Sequence, residues 1–105
     1  MVNANVLSRE SVIDALHAVI DPELGYNIVD LGLIYELTVE DNVVKISMTL
    51  TTPGCPAQDY ILSSVYECSR NLPDARRVEV DLVWEPLWTP ERMTPLAKEH
   101  FGIRE

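Results

Sequence analysis

Cysteine and basic residues are both scarce in this 105-residue chain, and each shortage excludes a class of protein. Two cysteines are too few for the disulfide framework of a small secreted protein. The 8 Lys and Arg residues are outnumbered by 17 Asp and Glu, which gives a net charge of −9. A surface this acidic repels phosphate backbones, so nucleic acid is not an expected partner.

Long apolar runs are also missing. No stretch approaches the roughly 20 apolar residues of a membrane-spanning helix. Residues 1–5 lack the basic and apolar parts of a secretory leader. We therefore expect no membrane partner and a cytoplasmic location.

The pattern of apolar residues predicts one α+β domain over residues 1–105. A helix after Ser8 is expected to end at Asp21, because Pro22 pushes the residue before it out of the α region. The elements predicted after it are an extended stretch at 28–40, a turn at 41–42, a strand at 43–50, a helix at 57–72, a strand at 78–84 and a last helix ending at Gly102. This α-β-β-α-β-α order predicts two layers and a three-stranded mixed sheet.

The connection between the second strand and the second helix carries the most chemistry. Its sequence, TTPGCP at residues 51–56, predicts a bent strand-to-helix turn with Pro56 at the first helical position. Cys55 is then expected at or beside the N-cap. A thiol at that position faces unpaired N–H groups and the positive end of the helix dipole, which favour the thiolate. Cys55 is thus the predicted metal ligand or nucleophile.

The turn at 41–42 also predicts which residues face each other across the hairpin. Counting back from it pairs Glu40 with Val43, and by extension Thr51 with Gly32. Asp30 is then expected close to Thr51. The start of the first strand and the end of the second should lie side by side.

Five polar residues are expected to meet at this end of the sheet: Asp21, Glu23, Thr51, Thr52 and Cys55. A thiol of lowered pKa beside carboxylates and hydroxyls is a known type of functional site, although carboxylates oppose the helix dipole by raising a thiol pKa. Each residue also has a purely structural interpretation. Asp21 ends a helix, the threonines belong to a strand, and Cys55 is small enough for burial.

The donor set limits what metal this chain holds by itself. A closed zinc or iron–sulfur site takes four ligands, commonly Cys or His. Cys68 falls on the apolar stripe of its helix, and His17 and His100 are not clustered, which leaves Cys55 alone. A site shared by two chains in a homodimer, or completed by a small thiol, would supply the missing ligands.

Four segments carry a resemblance to a known family. They are DPE at 21–23, NIVDLGLI at 27–34, MTLTTPGCP at 48–56 and WEPLW at 84–88. In this order they resemble the iron–sulfur cluster assembly domain family that includes SufT and PaaD. PaaD-type members carry a cysteine-rich C-terminal extension that is not found after Trp88 here, so the stand-alone, SufT-like type is expected.

The resemblance implies a role in maturing iron–sulfur proteins, with Asp21, Glu23, Thr51, Thr52 and Cys55 as its characteristic positions. It also implies apo iron–sulfur proteins or a P-loop cluster-carrier ATPase as partners, and iron or a cluster as cargo. We therefore predict a maturation factor in which Cys55 receives or presents that cargo and no small substrate is turned over. Two alternatives stay open: a metal-free adaptor that binds partners through a surface near Trp88, and an enzyme with Cys55 as nucleophile.

Overall fold

The computed structural model describes residues 7–54 and 56–103. Its helices are α1 (Arg9–Leu16), α2 (Gln58–Arg70) and α3 (Pro95–His100), with a short 3₁₀ helix at Pro90–Arg92. Its strands are β1 (Ile20–Asp21), β2 (Tyr26–Asn27), β3 (Ile34–Glu40), β4 (Val43–Met48) and β5 (Arg77–Leu82). The predicted α+β class and its three-stranded mixed sheet are confirmed, with the pair β1–β2 added.

The sheet has the order β3-β4-β5, with β4 in the centre. β3 and β4 are antiparallel and joined by Asp41 and Asn42, whose φ angles of 52° and 62° are those of a tight type I′ turn. β5 returns parallel to β4 after the connection through α2, which makes the sheet mixed. The sheet therefore places the hairpin at one end of β4 and residue 49 onward at the other.

The core lies on the helix side of the sheet. Val44, Ile46 and Met48 alternate along β4 and are all buried, whereas Lys45 on the opposite face is exposed. The helices contribute Val12 and Leu16 from α1, Ile61 and Val65 from α2, and Ala97 from α3. β4 therefore turns an apolar face towards the helices and a less buried, more polar face away from them.

The first helix is shorter than predicted. Ser8 caps α1 by accepting from the Ser11 N–H, but the helix ends at Leu16 rather than at Asp21. Ile20 continues the apolar spacing, yet it lies in β1, 40% exposed, and pairs with Asn27 of β2. The helical spacing of Ile20 was coincidental, because its backbone pairs with β2 instead of continuing the helix.

The extended stretch predicted from residue 28 is wrong in its first part. Residues 28–32 form turns, and β3 begins only at Ile34. Ile28, Leu31 and Leu33 are nonetheless completely buried. The apolar run that suggested a strand is a buried connection.

The predicted pairing of Thr51 with Gly32 is also wrong. Glu40 does face Val43, but the register shifts by one residue between Ile34 and Glu36, and the ladder stops where Ile34 faces Met48. A single extra residue in a β-bulge moves every later pair, which counting from the turn does not detect.

The second helix begins later than predicted. Ala57 is its N-cap and Gln58 its first residue, so Pro56 precedes the cap instead of occupying the first helical position. The turn at 53–54 agrees with the predicted bend, whereas the turn at 56–57 takes the residues that were assigned to the helix start. The prediction that Cys55 lies at or beside the N-cap concerns a residue outside those that the structure describes.

Candidate functional site

The connection after β4 is open to solvent on both sides of position 55. Thr51 is half-buried, and Thr52, Pro53, Gly54 and Pro56 are exposed. Gly54 has a φ of +73°, the left-handed conformation that glycine adopts at no steric cost. Both predicted threonines therefore lie on a tightly bent surface loop.

Asp21 is almost completely buried, with 1% of its surface exposed. Its carboxylate oxygen Oδ1 accepts from the Glu23 N–H at 2.8 Å and from the Leu24 N–H at 3.3 Å. Its backbone carbonyl accepts from the Gly25 N–H at 2.7 Å. Asp21 thus holds the whole turn between β1 and β2. The structural role predicted for it was only to end a helix.

Glu23 lies on that turn with an exposed side chain. Within residues 7–54 and 56–103, no hydrogen bond or ion pair joins Asp21 or Glu23 to Thr51 or Thr52. Their convergence with Cys55 stays a prediction, because it requires a residue that the structure does not describe.

A second polar cluster surrounds Asp30. Its Oδ2 accepts from Asn27 Nδ2 at 2.8 Å, and its Oδ1 accepts from Thr94 Oγ1 at 3.0 Å. His17 approaches the same carboxylate, with Nε2 3.9 Å from Oδ2. These contacts join the end of α1, the turn after β2 and the start of α3. This use of His17 and Thr94 was not predicted, since no spacing in the chain indicates that either residue contacts Asp30.

Trp88, which the adaptor hypothesis used as a partner surface, packs against the core. Its Nε1 donates to the Leu31 carbonyl at 2.7 Å, which satisfies the polar end of the indole. The neighbouring Leu87 is the exposed apolar residue of this segment, at 63%. Trp88 therefore fastens the segment after β5 to the turn that precedes β3.

The described part of the chain, residues 7–54 and 56–103, contains no group of three or more His, Cys, Asp or Glu side chains placed to hold a metal ion. Cys68 is half-buried, and its Sγ donates to the Ala15 carbonyl at 3.0 Å. Burial raises the pKa of the Cys68 thiol above its ordinary value. Its predicted role in packing fits this environment.

The raised pKa of Cys68 leads to a testable reactivity. In a Cys55→Ser variant, where Cys68 is the remaining thiol, we expect iodoacetamide at pH 8 to react at least about tenfold more slowly than with glutathione, because thiolate is scarce and access is limited. Mass spectrometry of quenched samples measures the rate. As a control, the chain is unfolded in about 6 M urea, where the rate should rise to that of a free thiol. Equal rates for the folded variant and glutathione would contradict the buried environment.

Comparison with known proteins identifies the family. The model of the family described as iron–sulfur cluster assembly protein matches residues 9–82, well over half of the chain. The chain belongs to this family. The match includes α1, all five strands and α2, and therefore both the turn held by Asp21 and the loop at 51–56.

Two curated members are similar over most of their length. The Fe-S protein maturation auxiliary factor YitW of Bacillus subtilis is 42% identical over 97 residues, which cover 91% of this chain and 95% of YitW. The Fe-S protein maturation auxiliary factor SufT of Staphylococcus aureus is 43% identical over 86 residues, 81% of this chain and 98% of SufT. The predicted resemblance to SufT-like proteins is confirmed.

A solved structure has the same fold. A conserved hypothetical protein of Thermotoga maritima superposes with a TM-score of 0.84 at 43% identity, covering 96% of this chain and all of the other. Among the residues described, no helix has the length and apolar character needed to cross a membrane.

Proposed function

We propose that this member of the iron–sulfur assembly family acts as a maturation factor that receives iron or a cluster at Cys55 and passes it to an apo-protein. Membership of the family and the names of two relatives similar over nearly their whole length support the maturation role. The cargo is a substrate of this reaction, held only until it is transferred.

The observation that carries the proposal is the exposure of the loop around position 55. Thr52, Gly54 and Pro56 are all exposed, so a cargo bound at this loop would be reachable by a second protein. The loop also leads into the N-terminus of α2, whose N-cap Ala57 makes no side-chain hydrogen bond. The positive end of that helix is offset only by Asp59 in its first turn. Both features favour a reactive thiolate at Cys55.

The donor set requires help from outside the chain. One thiolate does not complete the four ligands of an iron–sulfur cluster. We propose that Cys55 of a second subunit supplies one of the missing ligands and that small thiols supply the rest. Thr51 and Thr52 would donate hydrogen bonds to sulfur, while Asp21 and Glu23 would orient the cargo or its recipient.

The recipient we propose is an apo iron–sulfur protein, with a P-loop cluster-carrier ATPase as the source or an intermediate carrier. Such an exchange changes the ligands of the cluster and leaves its atoms intact. No base is required beside Cys55, which distinguishes this function from that of a cysteine-nucleophile enzyme.

Anaerobic reconstitution with iron and sulfide tests the carrier function. We expect wild-type protein to develop visible absorption from sulfur-to-iron charge transfer and Cys55→Ser to develop less than about a tenth of it, since a serine hydroxyl stays protonated where a thiol ionises. Cys68→Ser is the matched control, because a hydroxyl can still donate to the Ala15 carbonyl, and it should absorb like wild type.

Equal absorption in wild type and Cys55→Ser would overturn the carrier function. If Cys55→Ser also matured a client apo-protein at the wild-type rate, the metal-free adaptor would be the better description.

A further inference from the structure

A pocket of about 550 Å³ lies at the end of the sheet where β4 and β5 begin. It is formed by the last turns of α2 and the segment entering β5, and its lining residues are Tyr66, Arg70, Ala75, Arg76, Arg77 and Val78. The Arg76 N–H donates to the Asn42 carbonyl at 2.8 Å, which fixes the pocket beside the β3–β4 hairpin. The pocket and the loop at 51–56 are therefore at opposite ends of β4, about 20 Å apart at the rise of a strand.

Positive charge is concentrated here on an otherwise acidic chain. Three of the 8 basic residues of the sequence line the pocket, while the net charge is −9. Arg77 is already paired, with its Nε 3.0 Å from Glu79 Oε2. Arg70 and Arg76 are exposed and form no ion pair or side-chain hydrogen bond with the residues the structure describes. Two guanidinium groups are thus available to an anion.

Local structure accounts for the position of Arg70 but not for that of Arg76. Arg70 is the basic residue in the last turn of α2, where a cation is favourable beside the negative end of the helix dipole. That interaction leaves the five N–H donors of the guanidinium free to bind a ligand. Arg76 has no helix to stabilise and is held at the pocket by its backbone.

The composition of the pocket fits a protein ligand better than a phosphate. Tyr66 is 39% exposed, four residues before Arg70 and thus on the same face of α2. Tyr and Arg are, with Trp, the residue types enriched among the side chains that dominate protein–protein binding. The guanidinium groups are solvated, whereas tight phosphate sites enclose the ligand in backbone N–H groups.

We propose that this pocket binds an acidic segment of another protein, whose Asp or Glu carboxylates pair with Arg70 and Arg76 while a neighbouring side chain packs on Tyr66. The forked guanidinium matches a carboxylate in two hydrogen bonds. The acidity of the rest of the chain does not prevent this, since salt screens charges more than about 10 Å away at 0.1 M. Binding of this kind requires neither iron nor Cys55.

A hexaglutamate peptide labelled with fluorescein tests the proposal through its fluorescence anisotropy at about 0.1 M salt, where repulsion from the distant acidic side chains is screened. Wild-type protein should bind it saturably, and Arg70→Gln/Arg76→Gln should bind at least about tenfold more weakly. The matched control is Lys45→Gln/Arg92→Gln, which changes the net charge equally outside the pocket and should bind within about twofold of wild type. Circular dichroism of each variant checks that it is folded.

Three results would overturn the proposal. One is the absence of saturable binding to wild type. The second is equal weakening by the two double variants, which would show attraction to overall charge alone. The third is displacement of the peptide by free inorganic phosphate at concentrations no higher than those of unlabelled peptide, which would assign the pocket to a phosphate ligand.

Discussion

Gly32→Ala should destabilise the protein by at least about 3 kcal/mol, the largest effect we expect from any single methyl group in this chain. Gly32 has a φ of +80°, which costs an L-residue roughly 1 kcal/mol or more. A Cβ at this position would also collide with the backbone carbonyl of Arg92, lying 2.7 Å from its carbon atom. Because that neighbour is backbone, no side-chain rotation relieves the collision.

The collision would separate two segments that hold the fold together. The turn containing Gly32 is attached to the chain after β5 by the Trp88–Leu31 and Thr94–Asp30 hydrogen bonds. Moving Arg92 away strains both. We therefore expect the tryptophan fluorescence of the folded variant to shift to longer wavelength along with the loss of stability.

Gly25→Ala is the control for Gly32→Ala. Gly25 has a φ of +69°, but nothing lies within 4 Å of a Cβ added there. Its substitution carries the backbone cost alone, about 1 kcal/mol. Urea unfolding followed by circular dichroism measures both variants, and equal losses would show that the approach to Arg92 is not tight.

The sequence was sufficient for features that depend on local chemistry. Asp41 and Asn42 tolerate the positive φ of a type I′ turn, and Thr94 before Pro95 caps a helix, as the structure shows for both pairs. The alternation along β4 gave the buried face of the sheet. Each of these signals lies within a few residues of its effect.

Features that depend on contacts across the chain were not predictable in this way. The pairing of Ile20 with Asn27 accompanies the early end of α1, and neither the β1 sequence nor the β2 sequence alone indicates this pairing. The bulge before Glu36 moved Thr51 away from its predicted partner. The contact between His17 and Asp30 joins two elements whose relative position follows only from packing. The candidate site was therefore predicted as a set of residues and not as a geometry.

Asp21→Ala should destabilise the protein by about 2 kcal/mol, because it leaves the partly buried N–H groups of Glu23 and Leu24 without their acceptor. Asp21→Asn keeps an oxygen in the position of Oδ1, so both bonds can persist and the loss should stay below about 1 kcal/mol. The two variants separate the shape of the turn from the charge of the carboxylate. Urea unfolding of each gives the free energies.

We expect the maturation activity to depend on the charge of the Asp21 carboxylate and not on the shape of the turn that it holds. If the Asp21 carboxylate orients cargo for Cys55, Asp21→Asn should mature an apo-protein client at least about tenfold more slowly while remaining folded, the size typical of losing one orienting contact to a metal ligand. A folded Asp21→Asn protein with wild-type activity would limit Asp21 to holding the turn. Glu23 would then be the acidic residue left to act at this site, since its exposed side chain has no role in that turn.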